Sequence, residues 1–245
     1  MLPQRRQLVD LRGSTKNKKM SDLIRQIEIS LENAELLHSK ITDEIIELTG
    51  MTGVKTRHFY NNLCSFQDAR YLEIGVWAGS SVCSAMCNNR MSCLCVDNWS
   101  EFNDGKNSAE EHFKINFEKF KGENNATFIE ANCWDLNADE IGKRFKFNIY
   151  LYDGAHDEVS HYKALNKFSP CLDDAFIYLV DDWNAKAVVD GTNKSIADNN
   201  MEILFKKEIF TDAKDGWPHN DGDGSSHDWW NGIGIFVLEK RRNGN

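Results

Sequence analysis

From residue 70 onward the chain alternates between short apolar, β-rich runs and helix-forming stretches. The runs are Arg70–Gly75, Ser92–Asp97, Ala126–Glu130, Phe147–Asp153, Ala175–Asp181 and Gly232–Glu239. Helix patterns fall between them near Ser80–Asn88, Ser108–Lys121, Glu158–Phe168 and Ser195–Phe205. Ser108 with Glu111 makes a capping box. Segments such as IYLYD and FIYLV lack polar alternation, so they predict strands buried on both faces. Strands of that kind, joined through helices, build a parallel sheet covered on both sides.

The strand ends carry the functional signal. In a doubly wound sheet, ligands bind outside the carboxyl ends of the strands. One Asp after a strand means little, because turns favour Asp. Here four tips in succession are marked: Glu73-Ile74-Gly75, Asp97, Asp153-Gly154 and Asp181-Asp182. The first continues as Val76-Trp77-Ala78-Gly79-Ser80-Ser81, a glycine turn into a helix start. Its glycines let backbone come close to a ligand, and alone it reads equally as a tight turn. The spacing is GxxxG rather than GxGxxG, and no GK[ST] follows, so neither a dinucleotide cradle nor a P-loop is supported. Asp97 ends the second strand, where a carboxylate can accept both hydroxyls of a ribose. Together the turn and Asp97 predict a nucleoside ligand.

Asp153, Asp181 and Asp182 on neighbouring tips can supply a hard oxygen site suited to Mg²⁺. Such an ion acidifies a coordinated hydroxyl. His156 lies three residues past Asp153, within reach of that proton, and imidazole titrates in a useful range. The plainer readings are a capping or core histidine, and a turn with a helix N-cap for the acidic pair. Adjacent acids after a buried strand, however, repel without a cation.

Composition narrows the class of partner. The 245 residues carry 29 Lys+Arg against 38 Asp+Glu, a net charge of −9. That balance argues against a general binder of phosphate backbones. The longest apolar stretches, such as Phe176–Val180 and Ile233–Leu238, are strand-sized, far short of the ~20 residues of a membrane span. The basic start lacks the apolar core and cleavage site of a signal peptide. Seven cysteines, odd in number, without CxxC and several in apolar runs, read as buried free thiols of a cytoplasmic protein.

Two segments flank this pattern. Residues 1–19 hold six basic side chains against Asp10, a net of +5 that leaves −14 for the rest, and predict a basic flexible arm. Residues 20–50 form an amphipathic unit: Leu23, Ile27, Leu31, Ala34, Leu37, Ile41, Ile45 and Leu48 recur at steps of three and four, which predicts one helix ended by Gly50. Its stripe is expected to pack on the following domain, 51–245, with a homo-oligomer contact or a lid as the alternative. The polar loop from about Asp212 to Asn231 contains three tryptophans among acids and amides. Trp217, His227 and Trp229 could stack on and hydrogen-bond a sugar. The alternative is a solvated loop whose tryptophans pack back. Its DGDG lacks the spacing of a calcium loop.

YLEIGVWAGSS and CLCVDNW resemble the first and second motifs of the class I S-adenosylmethionine-dependent methyltransferases. YLYDGAHDEVSHY followed by YLVDDW resembles the metal-dependent macrocin/mycinose-type sugar O-methyltransferases. The resemblance spans roughly residues 55–240. It implies a Rossmann-like, doubly wound, mostly parallel seven-stranded sheet with helices on both faces. It also implies S-adenosylmethionine and Mg²⁺ as cofactors, and a sugar or glycosylated small molecule as acceptor. Glu73, Gly75, Gly79 and Ser80 would shape the amino-acid pocket of the cofactor, with Asp97 on the ribose and Cys133-Trp134 against the adenine. Asp153, Asp181 and Asp182 match the metal carboxylates, and His156 the general base. Where that family often has a Gly-Gly turn before the fifth strand, this chain has Pro170-Cys-Leu-Asp-Asp174. A catechol-type O-methyltransferase would instead show a Lys base and an Asp-Asn pair, and a nucleoside-binding scaffold without turnover would have no use for His156 and three acids.

Overall fold

The computed structural model describes residues 4–101, 108–212 and 228–241, and for residues 4–17 the backbone alone. Seven strands form one sheet: β1 (Arg70–Ile74), β2 (Ser92–Asp97), β3 (Asn125–Glu130), β4 (Phe147–Tyr152), β5 (Leu172–Asp181), β6 (Met201–Ile209) and β7 (Ile233–Lys240). Their order is β3-β2-β1-β4-β5-β7-β6. Strands β1 to β5 pair in parallel, and β7 runs antiparallel to both β5 and β6, so the sheet is mixed. Every residue of β4 is buried, as continuous apolar runs in a two-sided sheet require.

Among the described residues the α-helices are α1 (Gln4–Glu35), α2 (Asp43–Ile46), α3 (Val54–Leu63), α4 (Ser80–Met86), α5 (Ala109–Phe120), α6 (Ala138–Arg144), α7 (Glu158–Phe168) and α8 (Lys186–Asp198). Strand residues alternate between two cores. Tyr71, Cys93, Cys95, Ile149, Leu151, Ile177 and Leu179 face the side of α1, α3, α4 and α5. Leu72, Ile74, Leu94, Val96, Tyr150, Tyr152 and Tyr178 face α6, α7 and α8. This is the period of two that sends successive side chains to opposite faces. Six of the seven cysteines are buried and Cys133 is half-buried, and all are free thiols. Among the described residues no helix is long and apolar enough to cross a membrane.

Two expectations are corrected at the flanks. Helix α1 already runs from Gln4, through the segment read as an unfolded arm, and it stops at Glu35 rather than continuing to Gly50. Good helix formers in the arm extend it. It ends because Leu37 turns left-handed (φ 54°), with Leu37 N donating to Ala34 O and His38 N to Asn33 O, a Schellman ending. Leu23, Ile27 and Ala34 are buried against the domain, the stripe's expected destination. The second correction is Ser195–Phe205, read as a helix. Helix α8 ends at Asp198, Asn200 turns left-handed (φ 53°), and Met201 begins β6. Pairing with β7 overrides the helical pattern of that segment. The capping box at α5 is present, with Glu111 N donating to Ser108 Oγ at 2.9 Å.

The topology fixes the site. The chain winds from β1 outward to β3, then returns to β4 on the other side of β1. The crevice between β1 and β4 is therefore the switch point where ligands bind in such sheets. Ile74 is level with both Val96 and Tyr152, so the exits of β1, β2 and β4 lie side by side.

Candidate active site

Above these exits lies a cavity of about 370 Å³. Gly75, Asp97, Cys133, Trp134, Asp153, His156, Asp181 and Asp182, all selected from the sequence, line it. Glu73, Gly79 and Ser80, expected to shape the cofactor pocket, are not among its lining residues. Their burial explains this, since they build the turn from behind.

Gly75 is needed where β1 meets β4. Its φ is +86°, and a Cβ there would lie 1.8 Å from the carbonyl oxygen of Asp153. Glu73 is fully buried and accepts the Ser81 hydroxyl on Oε1, and the Tyr71 hydroxyl acts on the same carboxyl. Burial pushes its carboxyl up to about 8, against the lowering effect of Ser81. Ser80 is buried, and its hydroxyl is 2.8 Å from that of Thr52. Asp97 accepts four backbone amides: Oδ2 from Val76 (2.8 Å) and Trp77 (2.9 Å), Oδ1 from Asn98 (2.7 Å) and Trp99 (2.8 Å).

On the other side of the crevice, β4 and β5 deliver the acids. His156 sits on the connection to α7, whose N-cap Asp157 accepts from the amides of Val159 and Ser160. Its Nε2 is 2.7 Å from Asp182 Oδ2 and 3.8 Å from Asp153 Oδ1. Burial alone would lower the imidazole pKa. The contacts with Asp153 and Asp182 outweigh that and push it up to about 11. Asp182 adopts a left-handed backbone (φ 53°) directly after β5, and its Oδ1 accepts from Asn231 Nδ2 at 2.7 Å. Strained positions of this kind concentrate at functional sites.

Among the described residues, Asp153, His156 and Asp182 form the group whose donor atoms lie close enough to hold an ion, all within 4.8 Å of one another. Of the expected ligands, Asp153 and Asp182 stand in this group beside His156, and Asp181 lines the cavity outside it. Asp181 is the last residue of β5, whereas Asp182 begins the left-handed turn after it, so strand alternation does not relate the two carboxylates. Burial raises the Asp181 carboxyl well above its ordinary range, and repulsion from Asp153 and Asp182 adds to it.

The loop expectations divide. Trp229 is buried, donates Nε1 to Glu35 Oε1 (3.0 Å) and meets Phe59 edge-on, so it packs into the core rather than facing an acceptor. Trp217 and His227 lie outside the described residues. Lining residues that the sequence reading passed over include Met51, Trp77, Asn98, Glu101, Tyr152, Trp230 and Asn231. Trp77 and Asn98 directly adjoin selected positions. Trp230 and Asn231 close the loop already marked by its tryptophans. Met51 carries no local signal, because hydrogen bonds from Arg57 to the carbonyls of Ile45, Leu48 and Thr52 fold its segment toward the cavity.

Residues 72–183 match a family described as a methyltransferase domain. A search among curated proteins finds no sequence match. Solved structures share the fold at low identity. SMU.776, assigned as a methyltransferase and complexed with SAH, is 12% identical at a TM-score of 0.51, over 78% of this chain and 50% of its own. A Pyrococcus horikoshii protein assigned as an RNA methyltransferase is 12% identical at 0.51, over 83% and 96%. TrmN from Thermus thermophilus is 13% identical at 0.50, over 81% and 52%. The chain spans about half the length of SMU.776 and of TrmN. Residues 72–183 thus resemble a methyltransferase domain, and the chain shares its fold with solved structures described as methyltransferases.

Proposed function

We propose that the protein transfers the methyl group of S-adenosylmethionine to a hydroxyl of a sugar or glycosylated small molecule, aided by a divalent cation. The carrying observation is that Asp153, His156 and Asp182 converge on the same cavity as the Gly75 turn. A sulfonium methyl needs no acid to leave. It needs a nucleophile held in line at close approach. The reaction converts the alcohol to a methyl ether, leaves S-adenosylhomocysteine and releases the hydroxyl proton.

Gly75, Cys133, Trp134 and Asp153 are the residues we assign to the cofactor side. The cradle at Gly75, which a Cβ would fill, fits a ligand pressed against backbone. The bound SAH of SMU.776 supports the same cofactor class. Two carboxylates and an imidazole also fit a divalent cation, and such an ion would neutralise the acids and acidify an acceptor hydroxyl. Without it, His156 carries the proton that holds Asp153 and Asp182 together. His156 serves as general base only when those carboxylates no longer retain that proton on Nε2. Among the described lining residues there is no Lys or Arg, which favours an acceptor without phosphate.

Calorimetric titration with S-adenosylhomocysteine, with and without Mg²⁺, followed by methyl-transfer assays on sugar hydroxyls, tests this reading. Absence of cofactor binding in either condition would refute it.

A further inference from the structure

Asp182 is held from two sides. Its Oδ2 faces His156 Nε2, 2.7 Å away, and its Oδ1 accepts from Asn231 Nδ2, also at 2.7 Å. Asn231 is buried just before β7, and its carbonyl accepts from Asn184 N at 3.0 Å. One residue therefore grips both ends of the turn that leaves β5, and that turn begins with the left-handed backbone of Asp182 (φ 53°). Such a backbone persists in a residue other than glycine only where its surroundings fix it. The amide is also a suitable donor. It binds one carboxylate oxygen without cancelling the charge, so the other oxygen stays beside Asp153 and His156 with its charge intact for a cation. A Lys or Arg in the same place would repel the ion.

Asn231 is itself held by distant parts of the chain. Residues 229–232 form a tight turn in which Gly232 N donates to Trp229 O at 2.9 Å, with positive φ at Trp230 (50°) and Gly232 (82°). Just past β6, Thr211 Oγ1 donates to Trp230 O at 2.8 Å. The buried Trp229 indole donates to Oε1 of Glu35, the last residue of α1, 194 positions away. Glu35 Oε2 meets Lys55 Nζ at 2.9 Å, and Lys55 in turn meets Asp228 Oδ2 at 2.8 Å. Helix α1 thus ends on the turn that delivers Asn231 to the β5 exit. We infer that Asn231 is a positioning residue that orients Asp182 for a divalent cation, and that α1 latches Asn231 in place through the Glu35–Trp229 bond. This inference rests on the cation reading of Asp153, His156 and Asp182.

Titration of the chelator-treated protein with Mn²⁺, followed by the electron paramagnetic resonance signal of the free ion, tests it, with thermal unfolding recorded on the same samples. Asn231→Ala should weaken Mn²⁺ binding by roughly 10–100-fold, the usual effect of removing a group that orients a metal ligand. Glu35→Ala should weaken it by about threefold or more, through the loss of one hydrogen bond. Glu35→Gln keeps an acceptor for the Trp229 indole and should restore most of that loss. The double variant Glu35→Ala/Asn231→Ala should bind Mn²⁺ no more weakly than Asn231→Ala alone, because both changes act through one contact. Asn231→Ser keeps a polar side chain in the turn but is too short to reach Asp182, and it gives the same reading where Asn231→Ala does not fold. A lower Tm with unchanged Mn²⁺ affinity in the Asn231 variants makes the residue structural and overturns the inference. Additive losses in the double variant, or intact affinity in Glu35→Ala, overturn the latch. If the intact protein binds no Mn²⁺ at millimolar concentration, the cation reading fails and the inference fails with it. Binding that the Asn231 variants leave untouched overturns the inference alone.

Discussion

Nε2 of His156 lies 2.7 Å from Oδ2 of Asp182, closing a bridge between the connection after β4 and the exit of β5. The bridge holds in place the same donor atoms that would ligate an ion, together with Asp153. A divalent cation should therefore stabilise the fold. At a concentration of 100 times its Kd the gain is about 2.7 kcal/mol. Scanning calorimetry after chelation should show Tm rising on addition of Mg²⁺ or Mn²⁺. Asp182→Asn and His156→Ala should each remove most of that increment, and Asp181→Asn should keep most of it. Unchanged Tm with either ion at millimolar concentration would leave the group as an ion-pair network without a metal role.

Glu73 gives the protein a pH dependence of definite sign. Its folded pKa, near 8, lies above the ordinary 4.5 because burial penalises the charged form. Between those values the native state holds a proton that the unfolded chain releases, so stability falls as pH rises through the window. The slope is at most about 1.4 kcal/mol per pH unit. Asp153 and Asp181 are shifted in the same direction and add to it. Urea unfolding at pH 5 and pH 8 should show a clear loss for the intact protein and a smaller one for Glu73→Gln. Equal losses in the two proteins would exclude Glu73 as a source.

The sheet and the strand tips were legible in the sequence because most residues of β1, β2, β4 and β5 are buried, on both faces of the sheet. Gly75, Asp97, Asp153 and Asp182 could be found because a strand's end fixes where its next residue lies. Which acid of a neighbouring pair meets the ion depends on the left-handed turn at Asp182, and that turn is set by bonds from Asn231, 49 positions away. Strand β6 was misread for a similar reason. It lies at the edge of the sheet and is half-exposed, so its identity comes from pairing with β7 rather than from its own pattern. Trp229 was misplaced because aromatic composition does not show which side of a loop packs inward.

Two glycines with positive φ allow a controlled comparison. At Gly75 a Cβ would meet the Asp153 carbonyl oxygen at 1.8 Å, whereas at Gly122 (φ +48°) the nearest atom, Phe120 O, is 4.0 Å away. Gly122→Ala should cost only the backbone strain, about 1–2 kcal/mol. Gly75→Ala adds a clash between the two central strand exits and should cost about 3 kcal/mol or more. It should also abolish binding of S-adenosylhomocysteine. Chemical denaturation midpoints for both variants check this, and similar midpoints would mean that the β1–β4 contact yields easily.

Arg57 organises the wall of the cavity that the sequence did not reveal. It is buried and donates to three carbonyls, those of Ile45, Leu48 and Thr52. Burial lowers its pKa to about 10, so it stays charged at neutral pH. Those three bonds fold the segment after α2 back on itself. They bring Met51 to the cavity and Thr52 to Ser80 at the start of α4. Arg57→Met keeps the apolar stem and leaves three carbonyls without their donor. Each orphaned group costs about 1–3 kcal/mol, and local relaxation with entry of water reduces the sum, so a total loss of about 3 kcal/mol is expected. Arg57→Lys should recover only part of it, because a single ammonium lacks the fork that reaches three acceptors. Both variants should weaken S-adenosylhomocysteine binding in the order Met more than Lys, since the wall at Met51 loosens with the segment. Unfolding midpoints and calorimetric affinities measured together would settle the point: stability lost with affinity unchanged would confine Arg57 to the fold and detach Met51 from the cofactor side of the cavity.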